Sequence, residues 1–127
     1  MADVAAAGVL TVIAQDFIRP DRVDIVLPLY RELVALTLQE PRCLGYTLHV
    51  DQADPGHFVF IETWPDRAAH DAHCASAHFQ RLVPQIDAHQ RAPGTFLFLD
   101  QRCLDPFDAR AALAWQRHRR GSAAKAT

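Results

Sequence analysis

Cysteine is scarce in this 127-residue chain. Cys43, Cys74 and Cys103 are odd in number, widely spaced and form no C-x-x-C. Neither a disulfide scaffold nor a cysteine-held zinc site can organise such a chain. Only five glycines are present, which excludes a collagen-like or low-complexity composition. Charge of neither sign dominates: 13 Lys and Arg against 15 Asp and Glu leave a net charge of −2. The basic footprint of a nucleic-acid binder is therefore missing. No stretch approaches the roughly 20 apolar residues of a membrane span. The start, Met1-Ala2-Asp3-Val4, lacks the basic residues and apolar run of a secretion signal. A Gly-rich phosphate loop, a Ser-His-Asp order and a cofactor fingerprint are absent as well. The expectation is a cytoplasmic protein with reduced thiols that binds neither membrane nor nucleic acid.

What is present is apolar and regularly patterned. Half the residues are hydrophobic, enough for one core and one domain at this length. Val9 to Phe17 alternates as a strand, with Leu10, Val12, Ala14 and Asp16 opposite Val9, Thr11, Ile13, Gln15 and Phe17. Asp21 is placed to cap a helix over 22–39, whose apolar set Val23, Val26, Leu27, Tyr30, Leu33, Val34 and Leu38 follows the helical period. Cys43 to Asp51 and His57 to Trp64 read as a hairpin turned by Gln52 to Gly56. Pro65 ends the pairing, and Asp66 caps a helix running to about His89, broken near Ala75-Ser76 and irregular at Pro84. Pro93-Gly94 precedes a last strand, Thr95 to Cys103. The order β-α-β-β-α-β predicts an α+β, ferredoxin-like fold with a four-stranded antiparallel sheet over residues 1–104. Residues 105–127 are expected to add a C-terminal helix, from Asp105 to about Arg120, and a frayed tail.

Two helices cover only one face of such a sheet, and the other face should be polar where it meets water. Here both faces are apolar: Phe58, Phe60 and Trp64 oppose Val59 and Ile61, and Phe96 and Phe98 oppose Leu97 and Leu99. The uncovered face predicts a homodimer joined through the sheet.

The chemistry-bearing residues gather between Glu40 and Phe79. Glu62 interrupts an apolar strand face shared with Phe58, Phe60 and Trp64, so its carboxyl is either paired or raised in pKa by desolvation. It reads either as an ion pair that fixes the sheet or as a catalytic group. Tyr46 and Trp64 suit the wall of an aromatic pocket or plain core. His70 and His73 share a helix face, but two imidazoles without a third ligand do not make a metal site, and no metal is expected.

The motifs in this segment resemble those of the antibiotic biosynthesis monooxygenase family, small proteins that form dimeric α/β barrels. Glu40, Pro41, Cys43 and Tyr46 match its E-P-G-C-x-x-Y start, with Arg42 in place of Gly. Asp54, Pro55 and Phe58 match D-P-x-x-F, and Glu62 and Trp64 match E-x-W. His73, Ser76, His78 and Phe79 match H-x-x-S-x-H-F. The haem-degrading pattern of the superfamily is not met, since His73 is followed ten residues on by Val83 and the first strand offers Gln15 and Asp16 rather than Asn. The resemblance implies a cofactor-independent oxidation of a quinol or polycyclic phenol by O₂. His73 or His78 is then the expected base, with Glu62 orienting it, and Tyr46, Trp64, Phe79 and His49 are expected to line the cavity. A non-catalytic binding or structural dimer, or an isomerase, is the alternative on the same scaffold.

Overall fold

In a computed structural model of the chain, residues 8–102 and His118 are described. Strand β1 (Leu10–Ile18) leads through a 3-10 turn at Pro20–Arg22 into helix α1 (Val23–Thr37). A hairpin follows, β2 (Gly45–Asp51) and β3 (Asp54–Trp64), then α2 (Arg67–Cys74), α3 (Ala77–Asp87) and β4 (Gln90–Asp100). The four antiparallel strands lie in the order β2-β3-β1-β4. This is the α+β, ferredoxin-like fold that the sequence predicts. The expected C-terminal helix and tail lie outside the described residues, His118 excepted.

The core follows from strand periodicity. Leu10, Val12 and Ala14 of β1, Tyr46 of β2 and Phe58, Phe60 and Trp64 of β3 are buried on one face. Val26, Tyr30 and Leu33 of α1 and Leu82 and Ile86 of α3 close over them. On the opposite face Ile61, Leu97 and Leu99 remain 40–54 % exposed. The helix break falls where expected. The Asp66 carboxylate accepts the Ala69 N–H at 2.9 Å to cap α2, and Ser76 Oγ accepts the Phe79 N–H at 3.3 Å to cap α3.

Two local expectations are corrected. Asp21 makes no capping bond, because Pro20 starts a 3-10 turn ahead of α1. Strand β4 starts at Gln90, not Thr95, and runs through Pro93-Gly94. An edge strand tolerates Pro because one row of its N–H groups needs no ladder partner. The register slips there: Gln15 pairs with Thr95 and Phe17 with Ala92, so Asp16 faces a bulge. The Gln90 side chain repairs the ladder, its Oε1 accepting the Phe17 N–H at 2.9 Å.

Candidate active site

A cleft of about 680 Å³ opens between α3 and the bulged part of β4, with Ala14, Asp16, Phe79, Val83, Asp87, Gln90 and Phe96 in its walls. A narrow inner end of about 50 Å³ shares Ala14, Asp16, Phe79, Val83 and Phe96 with it and reaches Tyr46, Phe60 and Glu62. Glu62, Tyr46 and Phe79 are thus brought together at one cavity.

Glu62 is 2 % exposed. Its Oε1 accepts the indole N–H of Trp64 at 2.9 Å and lies 3.7 Å from His70 Nε2. Burial raises its pKa from 4.5 to about 7, only partly offset by the indole hydrogen bond. A carboxyl in that range is a proton acceptor and donor near neutral pH. The indole fixes Oε1, which leaves Oε2 to meet a ligand. Tyr46, which pairs with Glu62 across the hairpin, is buried, and burial drives its phenol pKa well upward. It therefore stays a neutral ring.

His73 and His78 do not line this cleft. Both donate to one oxygen of Glu40, His73 Nδ1 and His78 Nε2 each at 2.7 Å from Oε2. The break between α2 and α3 sets this up, since His73 ends one helix, His78 starts the next, and Glu40 lies in the turn after α1. His73, 1 % exposed, packs behind the cleft wall, with ring centroids 5.1 Å from Phe79 and 5.3 Å from Tyr46. Burial lowers its pKa, against the opposing pull of the Glu40 hydrogen bond. Glu62 makes no bond to His73 or His78: its partners are Trp64 and His70, while the partner of His73 is Glu40. Among the described residues Glu40, His73 and His78 also place their ligating atoms within 4.8 Å of one another. The carboxylate the sequence reading lacked for a metal set is Glu40, and here it already accepts a proton from each imidazole.

Two further expected residues stand elsewhere. Trp64 is wholly buried and lines neither part of the cleft; it donates to Glu62 and packs against Tyr46 and His73. His49 is exposed on the opposite face of the sheet, 2.9 Å from Thr47 Oγ1. Residues 46 and 49 are an odd number of strand positions apart, so they cannot share a face. Arg42, the departure from the family pattern, pairs with Asp66 at 2.7 Å and ties the turn after α1 to the start of α2.

Asp16 escaped the sequence reading as a site residue. Its Oδ2 accepts the Tyr30 hydroxyl at 2.7 Å and its Oδ1 accepts Gln90 Nε2 at 3.2 Å. Its pKa is raised by burial, with the Tyr30 hydrogen bond opposing. The one signal in the sequence was its even spacing from Leu10, Val12 and Ala14, which put a carboxyl on the core face.

Comparison with known proteins agrees with this architecture. The family model for antibiotic biosynthesis monooxygenase matches residues 9–85, more than half of the chain. A crystal structure of an antibiotic biosynthesis monooxygenase is 68% identical in sequence, with a TM-score of 0.73, and the alignment covers 74% of this chain and 99% of that one. PA3566 from Pseudomonas aeruginosa is 31% identical, with a TM-score of 0.70, over 77% of this chain and 98% of its own. The uncharacterized protein sll1783 of Synechocystis sp. is 29% identical over 82 residues, which are 64% of this chain and 56% of that relative. The chain thus spans little more than half the length of that relative. By the family match over residues 9–85 and the near-complete alignment with a solved member, this chain belongs to the antibiotic biosynthesis monooxygenase family.

Proposed function

We propose that this chain is a cofactor-independent monooxygenase that oxidises a quinol or polycyclic phenol of polyketide type with O₂. The observation that carries the reading is Glu62: a buried carboxyl titrating near 7 at the inner end of a cleft walled by Tyr46, Phe60, Phe79 and Phe96. Glu62 takes the phenolic proton. The phenolate, desolvated among aromatic rings, passes one electron to O₂, and the radical pair joins to form a C–O bond. The O–O bond of the resulting peroxide then breaks as the carbonyl forms, and the proton returned by Glu62 leaves in water. The substrate loses two hydrogens, one from the phenolic oxygen by way of Glu62 and one from the reacting carbon, whose proton joins the departing hydroxide. One oxygen atom becomes the new carbonyl and the other departs as water. His73 and His78 serve this step by holding Tyr46 and Phe79 in the cleft wall through Glu40, in place of accepting the proton themselves.

The working unit is a homodimer joined through the sheet face opposite α1 and α3, where Ile61, Leu97 and Leu99 lie exposed. Burial of such side chains contributes roughly 25 cal/mol per Å².

The test is O₂ consumption over a panel of quinols and polycyclic phenols. The reading expects uptake with at least one of them, unchanged by chelator. Binding without uptake favours the non-catalytic alternative, and conversion without O₂ favours an isomerase.

A further inference from the structure

Glu62 is one of two carboxyls at the inner end of the cleft, itself buried where the second is half-buried. The other, Asp16, stands on the same sheet face four register positions away, since Glu62 pairs with Val12. At about 3.4 Å per residue, this places roughly 14 Å of strand between the two. Both reach the narrow inner end, and between them the walls are apolar: Ala14, Phe60, Phe79 and Phe96.

The surroundings of Asp16 are arranged to hold it in place. The bulge in β4 leaves it without a backbone partner on that strand, and bulges commonly re-aim side chains at binding sites. Tyr30 and Gln90 each donate to one of its oxygens. Gly94 lies against it, and a Cβ there would come within 2.9 Å of Oδ1 and 3.0 Å of the Gln15 carbonyl oxygen. A carboxylate has about four lone-pair sites, so two remain for a ligand. Arg91, the guanidinium on the cleft wall, pairs with Asp54 at 2.6 Å and does not neutralise Asp16.

We propose that Asp16 is a substrate-binding residue, and that the cleft takes a flat aromatic ring system with hydroxyl groups at opposite ends, one donated to Glu62 and the other to Asp16. This rests on the reading of the Glu62 cleft as the substrate site and refines its ligand. Hydrogen bonds of about 2.7 Å at each end use up part of the span. What is left suits hydroxyls across a ring or a fused pair of rings. Neighbouring hydroxyls on one edge cannot reach both carboxyls.

Anaerobic fluorescence titration with 2,6-dihydroxynaphthalene, 2,3-dihydroxynaphthalene and 2-naphthol tests this without depending on turnover. The wild-type protein should bind the 2,6-diol about tenfold more tightly than either other probe, the worth of one well-placed hydrogen bond to a charged acceptor. Asp16→Ala should bring the 2,6-diol down to the level of 2-naphthol while changing 2-naphthol itself less than about twofold. If Asp16→Ala also loses 2-naphthol, Asp16→Asn, which keeps an acceptor for Tyr30, is read in its place with the same expectation. Equal wild-type affinity for the three probes overturns the proposal, as does a preference for the 2,6-diol that survives at position 16. Failure of O₂ uptake leaves this result untouched, so the two readings fall separately.

Discussion

Glu62 is buried and Glu40 half-buried, and their neighbours give them opposite work. Glu40 receives two imidazole protons and joins the turn after α1 to both halves of the broken helix. Glu40→Ala strands buried His73 without its acceptor, and a lost buried partner costs about 1–3 kcal/mol. A melting temperature several degrees lower is expected, with O₂ uptake by the folded fraction reduced less than in Glu62→Gln, since the cleft wall loosens while the proton acceptor stays. Because His73 is held below its ordinary pKa, the folded state favours the neutral ring. Its contribution to stability is present above about pH 6.5 and is lost as the pH falls below that value. Glu62 was legible in the sequence because a lone carboxyl broke an apolar strand face. The partners of Glu40 and Asp16 were not, since they lie 14 to 74 positions away in the chain, and only the fold brings them together.

The helix break and the hairpin were readable because local chemistry writes them: Asp66 and Ser76 cap, and Pro65 stops pairing. Ser76→Ala should cost about 1 kcal/mol through loss of the α3 cap, and it should loosen His78 as well, since Ser76 Oγ lies 3.2 Å from His78 Nε2. Thermal unfolding measures the first effect and the His78 ring NMR signal the second. In β3, a Cβ at Gly56 would sit 2.2 Å from the Ile18 carbonyl oxygen, whereas at Gly45 the nearest atom is 3.6 Å away. Gly56→Ala should therefore destabilise by about 1–3 kcal/mol, as overpacking does. Gly45→Ala should leave the melting temperature within a degree or two. The start of β4 was misread because Pro93-Gly94 looks like a turn in sequence. Edge position and a bulge, both set by long-range pairing, let the strand pass through it.

Two-sided apolar strands were visible from period-2 spacing alone, and among the described residues no helix covers one such face. If that face joins two copies, solution scattering should give about twice the 14.2 kDa chain mass. Leu97→Asp or Ile61→Asp, on exposed positions of that face, should return a folded monomer. A wild-type monomer at micromolar concentration would refute the barrel. The cleft was not legible at this level: its volume arises between α3 and the bulged part of β4, a consequence of long-range pairing rather than of any motif.

Glu62→Gln tests the central claim most directly, because it separates what the residue costs from what it does. Below about pH 4.5 the carboxyl is protonated whether the chain is folded or not. Above that value the unfolded chain releases the proton first, so stability falls until the folded carboxyl ionises at about 7. The cost beyond that point is on the order of 3 kcal/mol, at about 1.4 kcal/mol per pH unit between the two values. Glutamine keeps an acceptor for Trp64 and removes this cost. Measured at pH 8, Glu62→Gln should raise the melting temperature and lower O₂ uptake by about 10²-fold, while wild-type uptake rises through pH 7. A variant that is less stable and oxidises its substrate at the wild-type rate would contradict the account.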